Sequence, residues 1–482
     1  MIPFLAGAAT VLAFAPIGFF PLALLAFAVL IGFWASATPQ RAFWAGYAFG
    51  LGLFGAGVSW IYVSMHTFGG MPPPLAALAT LLFCAFLALF PALAGWLQAR
   101  IPAAPWLRAC LVIPAAWTLF EWLRGWIFTG FPWLSAGYAG VGWPLQGYAP
   151  ILGVYGLSFL AVSLAGMAWL LFRQRKLVTA VAFIAVLGAG EALRRVEWTQ
   201  PAGEPVGAAL LQGNIAQDLK FRPERYPQIL ETYAHLAEAT RAKLIVFPET
   251  AIPRFYDRIE PEYLARLEAM ARRNGGDLLL GVPYRTSEAD YFNSVLSFGT
   301  SPRQAYHKSH LVPFGEFIPA GFGWLLRGLQ IPLSDFSRGA REQPPIAAAG
   351  QRIAVNVCYE DAFGDEIARR LPEATLLVNV SNVAWFGDSL APAQHLQIAQ
   401  LRAVETGRMH LTATNTGITA AIDRDGRVLA QLPQFKEGLL EVTARGYAGW
   451  TPYARLRDWP AVAVSLLVLA WPVLVARRAL SR

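Results

Sequence analysis

The sequence predicts a polytopic α-helical membrane region of about eight spans joined to a layered α/β domain. Three observations predict it. Of 482 residues, 55% are hydrophobic and only 15% are charged, well below the charge content of an average soluble chain. The apolar excess is confined to long runs within 1–198 and to 458–476. Between them, 200–445 alternates short apolar runs with amphipathic helical periodicity, the pattern of an α/β enzyme. The expected organisation is transmembrane helices one to seven over 1–199, an extracytoplasmic domain over 200–445, and a linker, last transmembrane helix and cytoplasmic tail over 446–482.

A spanning helix needs roughly 20 apolar residues. Candidate spans lie near 3–16, 20–37, 42–64, 74–98, 104–123, 149–172, 177–193 and 458–476. No basic residue precedes Arg41, so the start lacks the charged region of a secretory signal peptide. Basic residues set the orientation. With the N-terminus cytoplasmic, the loops after spans two, four and six carry Arg41, then Arg100 and Arg108, then Arg173, Arg175 and Lys176. The loop at 65–74 has no Lys or Arg, and the tail has Arg477, Arg478 and Arg482. This assignment places 200–445 outside the cytoplasm, in the periplasm of a bacterium. The net charge of +8 is largely explained by these anchors, and no basic stripe interleaved with aromatics suggests a nucleic-acid partner.

Two motif matches are discounted. "GLGLFG" (50–55) fits G-x-G-x-x-G but lies inside an apolar span with no strand before it, so Gly50, Gly52, Gly55 and Gly57 read as close helix contacts. His307 and His310 lack an evident third ligand, so no metal is expected, nor any cofactor.

In the α/β segment, strands are expected at 206–213, 243–249, 277–282, 291–299, 303–308, 351–358, 374–380, 410–414, 418–423, 427–431 and 438–443. Helices are expected at 226–242, 260–275 and 391–409. Three strand ends carry reactive groups: Glu249 in "FPET", Lys308 with Glu316 in "YHKSHLVPFGE", and Cys358 with Glu360 in "VCYED". Open α/β sheets place their sites at strand ends. Cys84 and Cys110 fall in spans, where a thiol is a small apolar residue; Cys358 is the one cysteine outside them. A carboxylate can take a thiol proton. An ammonium favours thiolate and can stabilise an oxyanion. Together they specify acyl transfer through a thioester.

These three segments resemble the catalytic segments of the nitrilase, or carbon–nitrogen hydrolase, superfamily over about 206–445. With "HLVPFGEFIP" (310–319), "SNVAWFGDS" (381–389) and the flanking spans, nearly the whole chain resembles the apolipoprotein N-acyltransferase family. The resemblance implies an α-β-β-α sandwich with Glu249 as general base, Lys308 as oxyanion stabiliser and Cys358 as nucleophile. It implies supporting roles for Glu316, Tyr359 and Glu360, and places Trp385 in a loop bordering the substrate entrance. The acyl donor would be a phospholipid, commonly phosphatidylethanolamine. The acceptor would be the diacylglyceryl-modified N-terminal cysteine of an apolipoprotein, and the location the bacterial inner membrane. Phe221 stands where the family often has Trp, and Val383 where a polar residue is common; both bear on substrate gating rather than reaction class.

Further substrate-binding candidates come from the residues themselves. The segment 317–333, with Trp324, is unusually apolar for a soluble domain and suits an interfacial contact. Segment 126–149 is aromatic and uncharged, as an interfacial belt would be. Glu121 and Arg124 stand i,i+3, either as an ion pair or with Arg124 binding phosphate. Two alternatives to acyl transfer share parts of this picture: a membrane-tethered amidase acting on a small amide, and a lipid-binding or lipoprotein-sorting module with an inert triad.

Overall fold

The computed structural model describes residues 1–287, 290–319 and 335–480. They fall into two units, one of Met1–Tyr62, Pro72–Glu197 and Arg455–Arg482, the other of Val63–Met71 and Trp198–Ala454.

The first unit is helical. A bilayer offers backbone groups no water, so apolar runs there close their own hydrogen bonds as helices. Among the described residues, Pro73–Arg100, Pro105–Arg124 and Pro144–Gln174 are long and apolar enough to cross a membrane. The pair Pro39–Gly57 and Ile61–Phe68, bent by 57°, makes a fourth if counted as one span. Ile2–Ala13, Phe20–Trp34, Leu177–Leu193 and Trp459–Trp471 are shorter apolar helices. The interruption after Gly57 corrects the continuous span expected at 42–64.

Glycine lets these helices approach. A Cβ on Gly50 would stand 2.7 Å from the Ala88 Cα, and one on Gly52 would stand 2.0 Å from the Phe4 carbonyl oxygen. Gly55 has open space instead. Segment 126–149 forms short turns at Ile127–Thr129, Ala136–Gly140 and Pro144–Tyr148. Buried Arg124 donates from Nη1 to the carbonyls of Phe131 (2.5 Å) and Trp133 (2.6 Å) and from Nη2 to Ser135 Oγ (3.2 Å). Glu121 Oε1 accepts from the Ala136 N–H at 2.9 Å and from Trp117 Nε1 at 2.7 Å. Both side chains thus anchor one loop, which favours a structural task for Arg124 over phosphate binding.

Among its described residues the second unit has fourteen strands. In chain order they are β1 (Thr199–Pro201), β2 (Val206–Gln212), β3 (Leu244–Val246), β4 (Asp277–Arg285), β5 (Tyr291–Gly299), β6 (Ala305–His307), β7 (Ile346–Ala348), β8 (Gln351–Val357), β9 (Leu376–Ser381), β10 (His410–Thr414), β11 (Ala420–Ile422), β12 (Val428–Gln431), β13 (Gly438–Ala444) and β14 (Tyr447–Gly449). Two six-stranded sheets run β13-β2-β3-β4-β5-β6 and β12-β11-β10-β9-β8-β7, and β1 pairs with β14. Each large sheet has a parallel centre, β2-β3-β4 in one and β8-β9-β10 in the other, flanked by antiparallel strands.

Period-2 alternation makes the layers. Leu244 and Val246 of β3 join Val355, Val357, Val378 and Val380 of the opposite sheet in one core, so the two sheets pack face to face. The intervening Ile245 points the other way, with Leu211, onto the helices Tyr226–Glu238 and Pro261–Arg273. On the far side, Ala354 and Leu377 pack with Ile367 and Tyr453, while Ala399 and Ala403 of helix Ala391–Thr406 pack against Ile422. The result is an α-β-β-α sandwich. β3 is shorter than expected because Pro248 has no N–H to continue a ladder. β1, β7 and β14 were not expected; each has three residues, too few to show alternation.

Close helix contact makes a direct prediction. Gly50→Leu and Gly52→Val should lower the thermal midpoint of the detergent-solubilised protein, by an overpacking cost of about 1–3 kcal/mol or more. Gly55→Ala should leave it unchanged.

Candidate functional site

The site is assembled from strand ends. β3 runs into Phe247, whose N–H still bonds the Leu279 carbonyl at 2.9 Å, and the chain then turns at Glu249 and Thr250. Thr250 has φ +48° and Cys358, immediately after β8, has φ +54°. Non-glycine residues rarely adopt this left-handed region, and such outliers gather at functional sites.

Glu249 is 7% exposed. Its Oε1 accepts from Asn293 Nδ2 at 2.7 Å and lies 3.5 Å from Lys308 Nζ. Its Oε2 accepts from the Asn382 N–H at 2.7 Å. Lys308, 1% exposed, reaches Glu316 Oε1 at 2.9 Å and Oε2 at 2.8 Å. Asn293 Nδ2 also donates to Glu316 Oε1, at 2.8 Å, and the Val312 N–H donates to Glu316 Oε2 at 2.8 Å. One amide and one ammonium therefore join both carboxylates. Burial alone would depress the Lys308 amine, but the carboxylates of Glu316 and Glu249 outweigh it and hold its pKa above the ordinary lysine range.

Cys358 keeps part of its surface accessible. Desolvation and the Glu249 carboxylate push its thiol up, against the Lys308 ammonium and the Asn382 backbone N–H. The resting group is the thiol, so a base must act on it. The Cys358 carbonyl accepts from Asn379 Nδ2 at 3.1 Å and from His395 Nε2 at 3.2 Å. Behind it, buried Asp361 meets His410 Nε2 at 3.1 Å and His395 Nε2 at 3.5 Å.

Glu360 ties two strand ends together. Its Oε1 accepts from the N–H groups of Ser309 (2.8 Å) and His310 (3.0 Å), and its Oε2 from the Val357 N–H (2.8 Å). Tyr306 Oη lies 2.9 Å from both oxygens and accepts from Arg370 Nη2 at 2.6 Å. The segment carrying Lys308 is thus pinned to the turn carrying Cys358. Tyr359 packs edge-on to Phe363 at 5.1 Å, and His310 stacks on Phe363 at 3.6 Å while its Nδ1 meets Glu366 at 2.9 Å. His307 is held by Ser294 Oγ at 2.7 Å and by Phe292, at 4.7 Å between ring centroids.

The structure therefore brings together Glu249, Lys308, Glu316, Cys358 and Glu360. Trp385 lies on a neighbouring short turn, edge-on to Phe68 at 6.3 Å. Phe221 caps the short helix Gln217–Lys220 and is partly buried. Val383 is buried, and a Cβ on Gly417 would stand 2.2 Å from its Cγ2. Arg124 belongs to the helical unit, and Trp324 lies outside the described residues. Sequence reasoning missed Asn293, Asn382, His395 and Lys220. A polar Asn293 in the apolar run of β5 was an available signal. Lys220 is 1% exposed, donates to the Glu249 carbonyl oxygen at 3.2 Å, and has its pKa pulled down to about 8 by burial, against the Glu249 and Cys358 charges.

Comparison with known proteins matches this architecture. Residues 6–167 fit the family model of the apolipoprotein N-acyltransferase N-terminal domain, and 207–450 that of carbon–nitrogen hydrolase. A Nitrosomonas europaea protein named apolipoprotein N-acyltransferase is 51% identical over 97% of this chain and 95% of its own. The chain belongs to the apolipoprotein N-acyltransferase family. A Methylococcus capsulatus protein of that name is 47% identical over 93% of this chain and 91% of its own. Among solved structures, a variant of the Nesterenkonia AN1 amidase of the nitrilase superfamily matches with TM-score 0.37 and 21% identity, over 53% of this chain and 95% of that one. The Helicobacter pylori G27 carbon–nitrogen hydrolase matches with TM-score 0.38 and 18% identity, over 54% and 95%. As a member of the N-acyltransferase family the chain is an acyltransferase and a bacterial membrane protein, and the amidase and lipid-sorting alternatives are set aside.

Asn293 gives this site its own test. A hydrogen bond to a charged group contributes about 1.5–3 kcal/mol, or roughly ten- to hundredfold in rate. Asn293→Ala should lower the turnover number of acyl transfer by that factor and also lower the thermal midpoint, because it leaves two buried carboxylates short of a shared donor. Asn293→Asp, which adds a third carboxylate, should fall further.

Proposed function

We propose that this acyltransferase moves a fatty acyl chain from a membrane phospholipid to the α-amino group of the diacylglyceryl-modified N-terminal cysteine of apolipoproteins, through a thioester on Cys358. Phosphatidylethanolamine is the expected donor. The observation that carries the reading is the buried set of Glu249, Lys308 and Glu316 acting on the one thiol outside the helical unit, in a chain of this family.

Glu249 takes the Cys358 proton as sulfur attacks the ester carbonyl carbon. The carbonyl electron pair moves to oxygen, where the Lys308 ammonium and backbone N–H groups stabilise it. As the intermediate collapses, Glu249 returns the proton to the departing lyso-lipid alcohol. In the second half-reaction the acceptor amine attacks the thioester and gives its proton to Glu249. The acyl chain leaves as an amide, and the proton returns to the thiolate. Glu316 orients Lys308, and Glu360 fixes the Lys308 segment against the nucleophile turn. Tyr359, Phe221, Trp324 and Trp385 are assigned to substrate binding, and Arg124 to holding its own loop in the helical unit. Cys358, Glu249 and Lys308 need no metal for any of these steps.

The same proposal places residues 200–445 in the periplasm and the chain in the inner membrane through eight spans. Counting the bent pair once and adding the shorter helices gives eight apolar segments. The basic residues at Arg41, Arg100, Arg108, Arg173, Arg175 and Lys176 fall on alternate loops, as cytoplasmic anchors do.

The test uses the full chain in liposomes of acyl-labelled phosphatidylethanolamine with a diacylated lipopeptide. Label should appear on the peptide amine as lyso-lipid forms. Cys358→Ser should leave no hydroxylamine-sensitive acyl-enzyme, and Glu249→Gln should slow acylation about a hundredfold or more. Release of free fatty acid without transfer, or a persistent adduct in Cys358→Ser, would overturn the assignment.

A further inference from the structure

The mechanism above leaves unused a buried cation next to the Glu249 turn. Lys220 ends the short helix Gln217–Lys220 and is 1% exposed. Burying an ammonium costs several kcal/mol unless charge and hydrogen bonds compensate. Lys308 is compensated by two carboxylates within 3.5 Å. Among the described residues Lys220 has no carboxylate within ion-pair distance, and its one hydrogen bond goes to the main-chain oxygen of Glu249, at 3.2 Å. An ammonium carries three N–H bonds, so two of the Lys220 donors have no acceptor among the described residues.

The charge count around Cys358 explains why a second cation belongs there. The Glu249 and Glu316 carboxylates face Asn293 Nδ2, the Asn382 and Val312 N–H groups and Lys308 Nζ, and two acids set side by side need two positive charges to be balanced. Lys308 balances one of these charges and leaves one over. A buried excess of negative charge opposes thiolate formation and traps a proton on a carboxylate. A second ammonium makes the resting cluster neutral.

We propose that Lys220 is the second cation of the site, a positioning residue that balances the carboxylate pair, holds the Glu249 turn through its carbonyl and eases ionisation of Cys358. The inference rests on Cys358 being the reactive thiol. Lys220 acts on it through the field rather than by touching the reacting atoms. The titratable groups bearing on Lys220 are Glu249, from the turn after β3, and Cys358, from the turn after β8. On its own helix, Asp218 is exposed and faces Arg222 at 4.0 Å. Gln217, also buried, is uncharged and accepts from Asn382 Nδ2 at 2.8 Å. The helix Gln217–Lys220 therefore joins the Glu249 turn, through Lys220, to the Asn382 turn, through Gln217. Desolvation brings its pKa to about 8, so its charge is present below that pH and is lost as the pH rises through it. Arginine at the same place would keep its charge throughout.

The test is the pH dependence of Cys358 alkylation by iodoacetamide in the full detergent-solubilised chain, read by mass spectrometry on the peptide containing Cys358. Alkylation needs thiolate. In the native protein the rate should rise about tenfold per pH unit and then flatten near pH 8, as Lys220 loses its charge. Lys220→Arg should remove the flattening, so that the rate continues to rise. Lys220→Met should lie about tenfold or more below Lys220→Arg throughout. A merely structural lysine would give no bend that Arg removes. An unbroken native profile between pH 7 and 9, a bend retained in Lys220→Arg, or absence of Cys358 labelling would overturn the proposal. The native profile decides even where a variant fails to fold. The acyl-enzyme experiment is a separate readout. If Cys358→Ser still forms an adduct while the native alkylation profile bends, the nucleophile assignment fails and the Lys220 coupling stands.

Discussion

A buried ammonium between two buried carboxylates is the constraint on which the α/β unit turns. Lys308 cannot remain charged at 1% exposure without Glu316 and Glu249, and those buried carboxylates are met in turn by Lys308 and the Asn293 amide. Each partner makes the others tolerable. Removing one leaves an uncompensated charge, which costs far more than the pair contributes. Burial that would be a liability in a structural ion pair is useful beside a thiol. It keeps the dielectric low, so a fixed ammonium acts strongly on charge that develops nearby.

The sandwich makes this cluster possible because its members come from separate strand ends. Glu249 follows β3, Lys308 follows β6 and Cys358 follows β8. β3 and β6 belong to one sheet and β8 to the other, so the site depends on the two sheets facing each other across one core. That core supplies rigidity but no register between Lys308 and Cys358. Glu360 supplies it, accepting from the Ser309 and His310 N–H groups on one side and from the Val357 N–H on the other. The Glu360 oxygens, close to Cys358 in sequence, are thus committed to backbone N–H groups and to the Tyr306 and Ser309 hydroxyls, and the mechanism we propose takes its base from Glu249, more than a hundred positions away in the chain.

Much of this could be read from the sequence because alternation and strand ends are local properties. Val206–Gln212, Tyr291–Gly299 and His410–Thr414 carry their strand signal in a few residues, and "FPET" and "VCYED" place a carboxylate and a thiol where such strands stop. Partners that act through space were not readable in the same way. Asn293 looks like a polar interruption of β5 until its amide is seen bridging Glu249 and Glu316. Lys220 looks like a surface lysine on a charged four-residue helix until its burial is seen. Arg124 was open between an ion pair with Glu121 and a phosphate ligand, and only the fold shows its guanidinium donating to the Phe131 and Trp133 carbonyls of its own loop. The helical unit shows a third limit. Hydropathy located every apolar segment, but it could not show that the one around Gly57 breaks with a 57° bend.

Acyl transfer and hydrolysis begin with the same step, so what separates them lies in the second nucleophile. In the mechanism we propose, a thioester on Cys358 is open to water and to amine alike, and both must lose a proton to the same base. An α-amino group has a pKa near 7.7–8.0, so a useful fraction is already neutral near pH 7 and attacks without first being made into a strong base. Water needs the general base throughout. A site with Glu249 at 7% and Lys308 at 1% exposure admits little water and holds its base within a fixed net of N–H donors, which favours the nucleophile that asks least of it. In the mechanism we propose, the preference for an amine follows from burial, and the nearby Lys308 ammonium offsets part of what that burial costs the Cys358 thiol.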